Sequence, residues 1–293
     1  MKRIILSLVC MTAILAACTK SEVETPNGFK YTLVRNEEGS QAKPGQFVVF
    51  NYIIEDSKDS VWMNSIKEGF PGAYKIQDSS ALNNEIGMQQ LFRMVSEGDS
   101  VLIKRKAKDF FKNVMGSPMP PNSDSSMEMT CRLGVVKILD QDKFQEYQVS
   151  MMEEKAEKQK VYDAGAIEKY LKEKNIETVQ DTSGIRYVVH NSTGKEKPTV
   201  DNCVEVKYVG RFLESGEIFD QNEKLSFPLQ QVIAGWQIGI PKLGIGDSAT
   251  FFIPSGLAYG PRGRRTIPPN SILVFDVTLL DILEYDAATR SCK

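Results

Sequence analysis

The chain has 293 residues, of which 36 are Lys or Arg, 38 are Asp or Glu and one, His190, is a histidine. That length is enough for about two domains of ~100–200 residues each, and a content of 25% charged and 9% aromatic residues excludes wholesale disorder. The near-neutral charge argues against a nucleic-acid-binding protein, and the single histidine argues against a His-rich metal site and a Ser-His-Asp triad.

The chain begins with a segment that predicts a secretory signal rather than part of the folded body. Residues 1–17 combine a basic start with an apolar run too short to cross a bilayer, which needs about 20 residues. The run ends in Leu15-Ala16-Ala17-Cys18, which resembles the lipobox of bacterial lipoproteins. The resemblance implies cleavage before Cys18 and acyl chains on its thiol; the alternative is an ordinary signal cleaved near Ala17.

Lipidation at Cys18 implies that the mature chain is held at a membrane through a tether over residues 18–27. Two or three acyl chains on one residue anchor a protein stably, whereas a single myristoyl chain does not. Because Thr19 is not the aspartate associated with inner-membrane retention in some bacteria, the sequence favours the outer membrane and leaves its face open.

An internal repeat spans most of the remaining chain. Identical or similar residues recur in the same order at constant spacing within long blocks, and the spacing changes only between blocks. The first block matches Gly28, Tyr31, Val48 and Tyr52 with Gly184, Tyr187, Val204 and Tyr208; later blocks match Gly98-Asp99-Ser100 with Gly246-Asp247-Ser248 and Pro120-Pro121-Asn122 with Pro268-Pro269-Asn270. The repeat predicts two copies of one fold, over residues 28–140 and 181–286.

Each copy is rich in short runs typical of β-strands. Residues 204–209 and 248–253 alternate apolar and polar side chains, which predicts antiparallel strands with one buried face. Between the copies, residues 141–180 contain helix formers and Glu-to-Lys pairs four residues apart. This pattern predicts a charged helical linker, broken in two at Gly165 with Asp163 as a cap; a partner-binding helix is the alternative.

The second copy resembles the FKBP-type peptidyl-prolyl cis-trans isomerase domain from Gly184 to Tyr285. The resemblance rests on ordered motifs, which are Val206-Lys207-Tyr208-Val209-Gly210, Gly216-Glu217-Ile218-Phe219-Asp220, Phe227-Pro228-Leu229 through Gly235-Trp236, Leu257-Ala258-Tyr259-Gly260 and Ile267-Pro268-Pro269-Asn270 through Phe275-Asp276. It implies an α+β architecture: two FKBP-like domains, each a twisted antiparallel sheet around a short helix that starts near Trp236 in the second, joined by the helical linker and followed by a tail over residues 287–293.

The resemblance also implies a pocket and the role of each side chain in it. Trp236 matches the indole at the pocket floor, and Asp220 matches an acid that accepts a hydrogen bond at the edge. Tyr259 matches a phenol near the substrate carbonyl, with Ile267 in the flap beside it. The apolar walls are Tyr208, Phe219, Val232, Ile233 and Phe275.

The implied activity is rotation of X–Pro amides, and its chemistry suits these residue types. Amide rotation is opposed by ~18–20 kcal/mol of resonance, so an unaided X–Pro bond isomerises in tens to hundreds of seconds. An apolar pocket favours the twisted amide, and it needs no nucleophile, metal or cofactor. The expected partners are proline-containing polypeptides of exported proteins, the macrolide inhibitors of the family and the membrane, but no nucleic acid.

Two features of the second copy depart from the family pattern. The loop over residues 221–224 is short, and the usual arginine partner of the pocket acid has no obvious equivalent. The flap over residues 261–266 is unusually basic. It is either a solvated loop or a device that favours acidic residues near the substrate proline.

The first copy has lost most of the aligned pocket side chains. It keeps Tyr52 at the position of Tyr208; the other aligned positions are occupied by Met63, Asn64, Met88, Phe111, Met119 and Cys131. Flexible Met side chains can fill a pocket or line an adaptable surface. The first copy is therefore either catalytically silent or a client-holding domain, and a non-enzymatic chaperone is the alternative function for the whole chain.

The cysteines do not describe a disulfide framework. Besides the lipidated Cys18, three remain in the mature chain, namely Cys131, Cys203 and Cys292. Cys131 and Cys203 lie in strand-like runs, which favours small buried apolar residues, while a Cys203–Cys292 bridge stays open.

Overall fold

The structure, a computed structural model, describes residues 21–37, 39–85, 87–286 and 291–293. The predicted signal peptide over residues 1–17 and the predicted lipidation site Cys18 lie outside the described residues. The chain divides into two compact units, Met1–Ser150 and Met151–Lys293. No helix in the described ranges has the length and apolar character needed to cross a membrane.

The first unit folds its described residues into an antiparallel sheet with short helices against one face. The strands are β1 Ser21–Glu24, β2 Lys30–Arg35, β3 Phe47–Asp56, β4 Val61–Asn64, β5 Gly72–Lys75, β6 Ser100–Lys106 and β7 Glu128–Leu139. The helices are α1 Ser65–Glu68 and α2 Ala107–Phe110, with a π-helical turn Phe111–Met115 and 3-10 turns Ser79–Asn84 and Gly87–Arg93. The sheet order is β1-β2-β6-β7-β3-β4, and β5 also pairs with β3.

The core of the first unit forms because alternate strand residues point to the same face. Val101 and Ile103 of β6 lie beside Leu133 and Met129 of β7, and all four are buried. Phe92, from the 3-10 turn, packs on this face with its ring centroid 4.7 Å from that of Phe50.

Residues 21–24, which belong to the predicted tether over residues 18–27, form a strand of this sheet. Strand β1 pairs with β2, with Val23 opposite Tyr31. The side chain of Thr25 accepts a hydrogen bond from the Phe29 backbone N–H and closes the turn between the two strands. The sequence conceals this strand because it is short and mostly polar.

Helix α3 runs from Gln141 to Glu173 without interruption, so the predicted break at Gly165 is wrong. A glycine in a helix costs about 1 kcal/mol. Ile167 and Leu171, just beyond it, are buried in the second unit, and each buried side chain contributes about 1.5–3 kcal/mol. The free energy gained by burying Ile167 and Leu171 therefore exceeds the cost of keeping Gly165 in the helix.

The second unit contains an antiparallel sheet of the same strand order. Its strands are β8 Val179–Gln180, β9 Arg186–Asn191, β10 Cys203–Phe212, β11 Ile218–Pro228, β12 Ser248–Ile253 and β13 Leu273–Leu283, and its short helix is α4 Ala234–Gly239. The 3-10 turns are Leu229–Gln231, Ile240–Lys242, Ser255–Leu257 and Gly260–Arg262. The order β11-β10-β13-β12-β9-β8 reproduces the first unit's order strand for strand.

The strand registers agree with the sequence repeat. In the second unit Phe275 lies between Gly210 and Phe251 on its two neighbouring strands. In the first unit Cys131 lies in the same way between Ile54 and Ile103. Each unit therefore has the same α+β architecture, with equivalent central strands.

Helix α3 covers the face of the second sheet that is opposite to the pocket face. Ile167 and Leu171 pack with Phe252 and Val274, whereas Phe251 and its neighbours point the other way. The helix is thus part of the second unit's fold from residue 151 onward, and the predicted domain start at residue 181 omits it.

The end of the chain is joined to the sheet. Residues 287–293 are predicted as a tail, but β15 Ser291–Cys292 pairs with β14 Tyr285–Asp286, and a disulfide joins Cys203 to Cys292. The interpretation of Cys203 as a simple buried apolar residue is therefore wrong. Cys131 is free and buried, and its burial raises the pKa of the thiol to about 12.

Candidate active site

An aromatic pocket forms on the face of the second sheet that points away from α3. Strand β10 supplies Tyr208, β11 supplies Phe219 and β13 supplies Phe275, while α4 places Trp236 among them. Trp236 and Phe275 are buried and Phe219 is half-buried. Every one of the nine pocket positions implied by the sequence lies on these elements or on the loops beside them: Tyr208, Phe219, Asp220, Val232, Ile233, Trp236, Tyr259, Ile267 and Phe275.

Trp236 is the centre of this cluster. Its ring centroid lies 5.0 Å from that of Tyr208 and 5.1 Å from that of Phe275, and both rings stand almost perpendicular to the indole. Phe227 lies 5.4 Å away at a shallower angle. Edge-to-face packing of this kind fixes ring positions, because the ring edges and faces carry opposite partial charges.

The indole N–H of Trp236 has no hydrogen-bond partner among the residues that the structure describes. Within the described part of the chain, Nε1 of Trp236 is the buried side-chain polar atom left unsatisfied. Leaving a buried donor unpaired costs about 1–3 kcal/mol, and such a group in a folded protein calls for an explanation such as a functional role. The floor of the pocket therefore carries a donor that the protein itself does not use.

A glycine makes room for two walls of the pocket. Gly210 on β10 lies directly opposite Phe275 on β13. A Cβ atom at Gly210 would lie 2.7 Å from Cε1 of Phe275 and 2.8 Å from Cζ of Phe219. Real Cβ contacts are essentially never so close, so the position of both rings depends on glycine.

The pocket acid is held by a neighbouring phenol. The Tyr208 hydroxyl donates to Oδ2 of Asp220 at 2.8 Å. Burial, and after it this bond to Asp220, raises the pKa of Tyr208, so the phenol stays protonated and keeps donating. Among the described residues, the hydrogen-bond donor to Asp220 is thus the Tyr208 hydroxyl and not an arginine.

The short segment 221–224 is part of continuous strand β11 and is tied to β10 by ion pairs. Lys224 lies 3.0 Å from Glu205, and Lys207 lies 2.6 Å from Glu223. These exposed pairs contribute little energy each, but they are consistent with the strand pairing through this region.

The rim of the pocket consists of half-buried side chains. Val232 and Ile233 immediately precede α4, and the Trp236 backbone N–H donates to the Ile233 carbonyl at 2.9 Å. Tyr259 and Ile267 come from the loop after β12 and also pack on the core. These side chains form a hydrophobic rim around the buried Trp236.

The loop that carries Tyr259 is fixed from behind by helix α3. The buried carboxylate of Asp163 accepts hydrogen bonds from the Ser255 backbone N–H at 2.7 Å and from its hydroxyl at 2.6 Å. The sequence predicts Asp163 as the cap of a second helix, but this residue lies within one continuous helix and instead anchors the turn that leads to Tyr259.

Three residues of the site were not assigned a role from the sequence. Phe227 packs on Trp236, Phe212 packs 5.0 Å from Phe219, and Gly210 admits both Phe219 and Phe275. Phe227 and Gly210 lie in motifs that carry the family resemblance, so the signal was present. The contact of Gly210 with two rings, however, is visible only in three dimensions.

The equivalent region of the first unit is filled by its own side chains. Ile54 stands where the second unit has Gly210, and it is buried opposite Cys131, the counterpart of Phe275. A large side chain has thus replaced glycine, and a small one has replaced phenylalanine. The half-buried Met88 and Met119 also pack against this core.

The strand pairing corrects two of the aligned positions by one residue. Gly210 pairs with Asp220, whereas Ile54 pairs with Met63, so Met63 and not Asn64 occupies the place of the acid. Asn64 instead caps α1, where its side-chain oxygen accepts hydrogen bonds from the next turn of backbone. The shift arises because the connection between β3 and β4 is one residue shorter than the connection between β10 and β11.

An indole in the first unit lies on the counterpart of Tyr259. Trp62, in the bulge position that Phe219 has in the second unit, lies 5.9 Å from Phe111. Its Nε1 donates to Asp56 at 2.9 Å. The first unit therefore keeps the fold but lacks the acid and the open aromatic box of the second unit.

Comparisons with known proteins agree with the division between the two units. A family model described as FKBP-type peptidyl-prolyl cis-trans isomerase matches residues 194–280, which lie in the second unit. FK506-binding protein 1 of Saccharomyces cerevisiae is 46% identical over 96 residues, which cover 30% of this chain and 83% of the yeast protein.

Other relatives carry the name FkpA. The FKBP-type peptidyl-prolyl cis-trans isomerase FkpA of Aeromonas hydrophila is 37% identical over 135 residues, which cover 44% of this chain and 50% of that protein. A crystal structure of FkpA from Escherichia coli shares 34% identity, covers 50% of this chain and 74% of that one, and gives a TM-score of 0.39. The chain thus spans about half the length of the Aeromonas relative.

Proposed function

Because the chain belongs to the FKBP-type peptidyl-prolyl cis-trans isomerase family, we propose that its second unit catalyses the cis-trans isomerisation of X–Pro bonds in polypeptides. The observation that carries the proposal is the aromatic pocket around Trp236, with its glycine-dependent walls and its acid held by Tyr208. The clients are proline-containing segments of exported proteins, and the macrolide ligands of the family are expected to compete for the same pocket.

The pocket acts on the amide through its environment. A planar amide is more charge-separated than a twisted one, so moving it from water into an apolar site disfavours the planar ground state more than the twisted transition state. The proline ring lies on the Trp236 floor between the Phe275 and Phe219 rings, which exclude water from one side of the bond. The reaction then forms and breaks no covalent bond, and the chain supplies only binding and orientation.

Two polar groups orient the substrate. Tyr259, on the rim, is placed to donate its hydroxyl to a substrate carbonyl. Asp220 already accepts a hydrogen bond from the Tyr208 hydroxyl and presents its remaining acceptor capacity at the pocket edge. Each such hydrogen bond contributes about 1 kcal/mol, which is about fivefold in rate where it forms only in the transition state.

A role as a non-enzymatic chaperone is a weaker account of the second unit. A surface that only holds unfolded segments has no need for a glycine that admits two rings or for a fixed acid–phenol pair. The first unit, in which Ile54 and Met63 replace Gly210 and Asp220, is proposed to be catalytically silent.

The proposed activity is tested with a protease-coupled isomerisation assay of the full chain on a proline tetrapeptide. The protease cleaves only the trans form, so the slow phase reports isomerisation. A slow phase that accelerates in proportion to enzyme concentration supports the proposal. A slow phase at the uncatalysed rate over the whole concentration range contradicts it.

The chain is further proposed to be a lipoprotein of the outer membrane, anchored through Cys18. The support is the Leu15-Ala16-Ala17-Cys18 sequence after a basic and apolar start.

Cys18→Ala is expected to abolish acylation and to release the protein from the membrane fraction, because no acyl chain then anchors it. The measurement is fractionation with metabolic labelling by a palmitate analogue; Ser7→Ala is the matched control. Membrane association that persists in Cys18→Ala would contradict the proposal.

A further inference from the structure

The basic flap over residues 261–266 lies within a closed loop beside the pocket. This loop runs from Gly260 to Asn270, and the Asn270 backbone N–H closes its base by donating to the Gly260 carbonyl at 2.9 Å. Arg264 and Ile267 form an antiparallel bridge near its tip. Gly263 has a φ of 62°, and a Cβ there would lie 2.3 Å from the Ile267 carbonyl oxygen, so the path of the loop requires glycine.

The arginines of this flap differ from the other arginines of the protein. Six of the nine arginines among the described residues have a carboxylate within 4.0 Å: Arg35, Arg93, Arg105, Arg132, Arg186 and Arg211. The remaining three are Arg262, Arg264 and Arg265; all are exposed, and in the described ranges none has an ion pair. The unpaired guanidinium groups are therefore concentrated on one loop.

One of these guanidinium groups lies at the rim of the pocket. The guanidinium carbon of Arg264 lies 5.8 Å from the ring centroid of Tyr259, a rim residue of the pocket. The backbone of Arg264 is bonded to Ile267, the other rim residue of this loop. Arg265, at the tip, has a φ of 50°, in the left-handed region that is uncommon for a residue other than glycine.

We propose that Arg264 and Arg265 form an anion-binding subsite that makes X–Pro segments with an acidic residue next to the proline the preferred substrates. The inference rests on the proposed isomerase function. A residue adjacent to a proline on the Trp236 floor passes the Tyr259 rim, where the guanidinium of Arg264 lies. Since no carboxylate of the described chain lies within ion-pair distance of these groups, they are available to a substrate carboxylate.

Screening of the charges by salt limits the expected preference for acidic peptides. The groups are exposed, so each pair interacts through water, and the interaction fades over a Debye length of about 10 Å at 0.1 M salt and about 3 Å at 1 M. A preference of about fivefold in kcat/KM for a Glu-Pro over a Gln-Pro peptide is expected at low salt, falling below about twofold at 1 M salt.

The test compares three tetrapeptides that differ only in the residue before proline, which is Glu, Gln or Lys. The full chain is assayed at 20 mM and at 1 M salt with protease in excess. Wild type is expected to follow the order Glu, Gln, Lys at low salt. Arg264→Ser combined with Arg265→Ser should remove the order with little change for the Gln peptide, and Arg264→Glu with Arg265→Glu should reverse it.

A charge-matched control separates the subsite from the net charge of the protein. Lys169→Ser combined with Lys172→Ser also removes two positive charges, from the part of α3 that packs on the opposite face of the sheet. This control is expected to keep the wild-type preference. Loss of the preference in the control as in the flap variant would overturn the inference, because a general field would then explain it.

The remaining outcomes distinguish the inference from the proposed function. If no peptide is isomerised faster than the uncatalysed rate, the isomerase function itself fails. If all three are isomerised equally at low salt, only the subsite fails. If the flap variant instead loses binding to vesicles of anionic phospholipid while its peptide preferences stay unchanged, the arginines serve a membrane surface and the inference is overturned.

Discussion

Replacing Gly210 with isoleucine is expected to lower kcat/KM on a proline peptide by about a hundredfold while the second unit remains folded. The added side chain would occupy the space into which the Phe275 and Phe219 rings project, since even a Cβ would lie 2.7 Å and 2.8 Å from them. A hundredfold loss corresponds to two steps of ~1.36 kcal/mol, and we assign about one such step to the transition-state contacts of each displaced ring. The first unit already carries this arrangement at Ile54.

A graded series of variants tests this cause. Gly210→Ala should give a smaller loss, because a methyl group displaces the rings less than an isoleucine side chain does. Gly210→Ile combined with Phe275→Cys reproduces the packing of the first unit, and it should recover thermal stability lost to overpacking without recovering activity. Full activity in a folded Gly210→Ile variant would show that the aromatic box is not the reaction site.

Loss of the disulfide is expected to lower the free energy of unfolding of the second unit by about 2–4 kcal/mol. The bond joins Cys203, at the start of β10, to Cys292, which is 89 residues away. Cross-linking so long a loop restricts the unfolded chain, and Cys292→Ser removes that restriction. Guanidinium unfolding in a Trp62→Phe background makes Trp236 the remaining tryptophan, so its fluorescence reports this unit alone.

Reduction provides the matched control for this substitution. Wild type in reductant should unfold at the same guanidinium concentration as Cys292→Ser, and reductant should leave the variant unchanged. Coincident unfolding of oxidised wild type and the variant would contradict the expected contribution of the bond.

The sequence repeat predicts the architecture well because it records strand register. Cys131 and Phe275 are aligned by spacing alone, and they lie at equivalent positions between their neighbouring strands. The pocket side chains could be named from the sequence because each lies in a short motif of consecutive residues, and the motifs keep their order in the second copy. Their roles remain predictions until the variants are measured.

Features that depend on contacts distant in sequence could not be predicted. Helix α3 continues through Gly165 because Ile167 and Leu171 are buried by strands about a hundred positions later. The partner of Asp220 could not be found by searching for an arginine, because Tyr208 on the neighbouring strand provides the hydrogen bond. The one-residue shift at Met63 is visible only in the strand pairing, because an alignment at constant spacing conceals the shorter connection before this residue.

We expect the second unit to isomerise prolyl bonds and the first unit not to, and comparing variants of the two units within one full chain measures this difference. Trp236→Ala removes the floor of the second pocket, and Met88→Ala changes the aligned position of the first. In the protease-coupled assay, Trp236→Ala is expected to lower kcat/KM by at least about tenfold, and Met88→Ala to leave it within about twofold of wild type. Wild-type activity in a folded Trp236→Ala protein, or loss of activity in a folded Met88→Ala protein, would contradict the account.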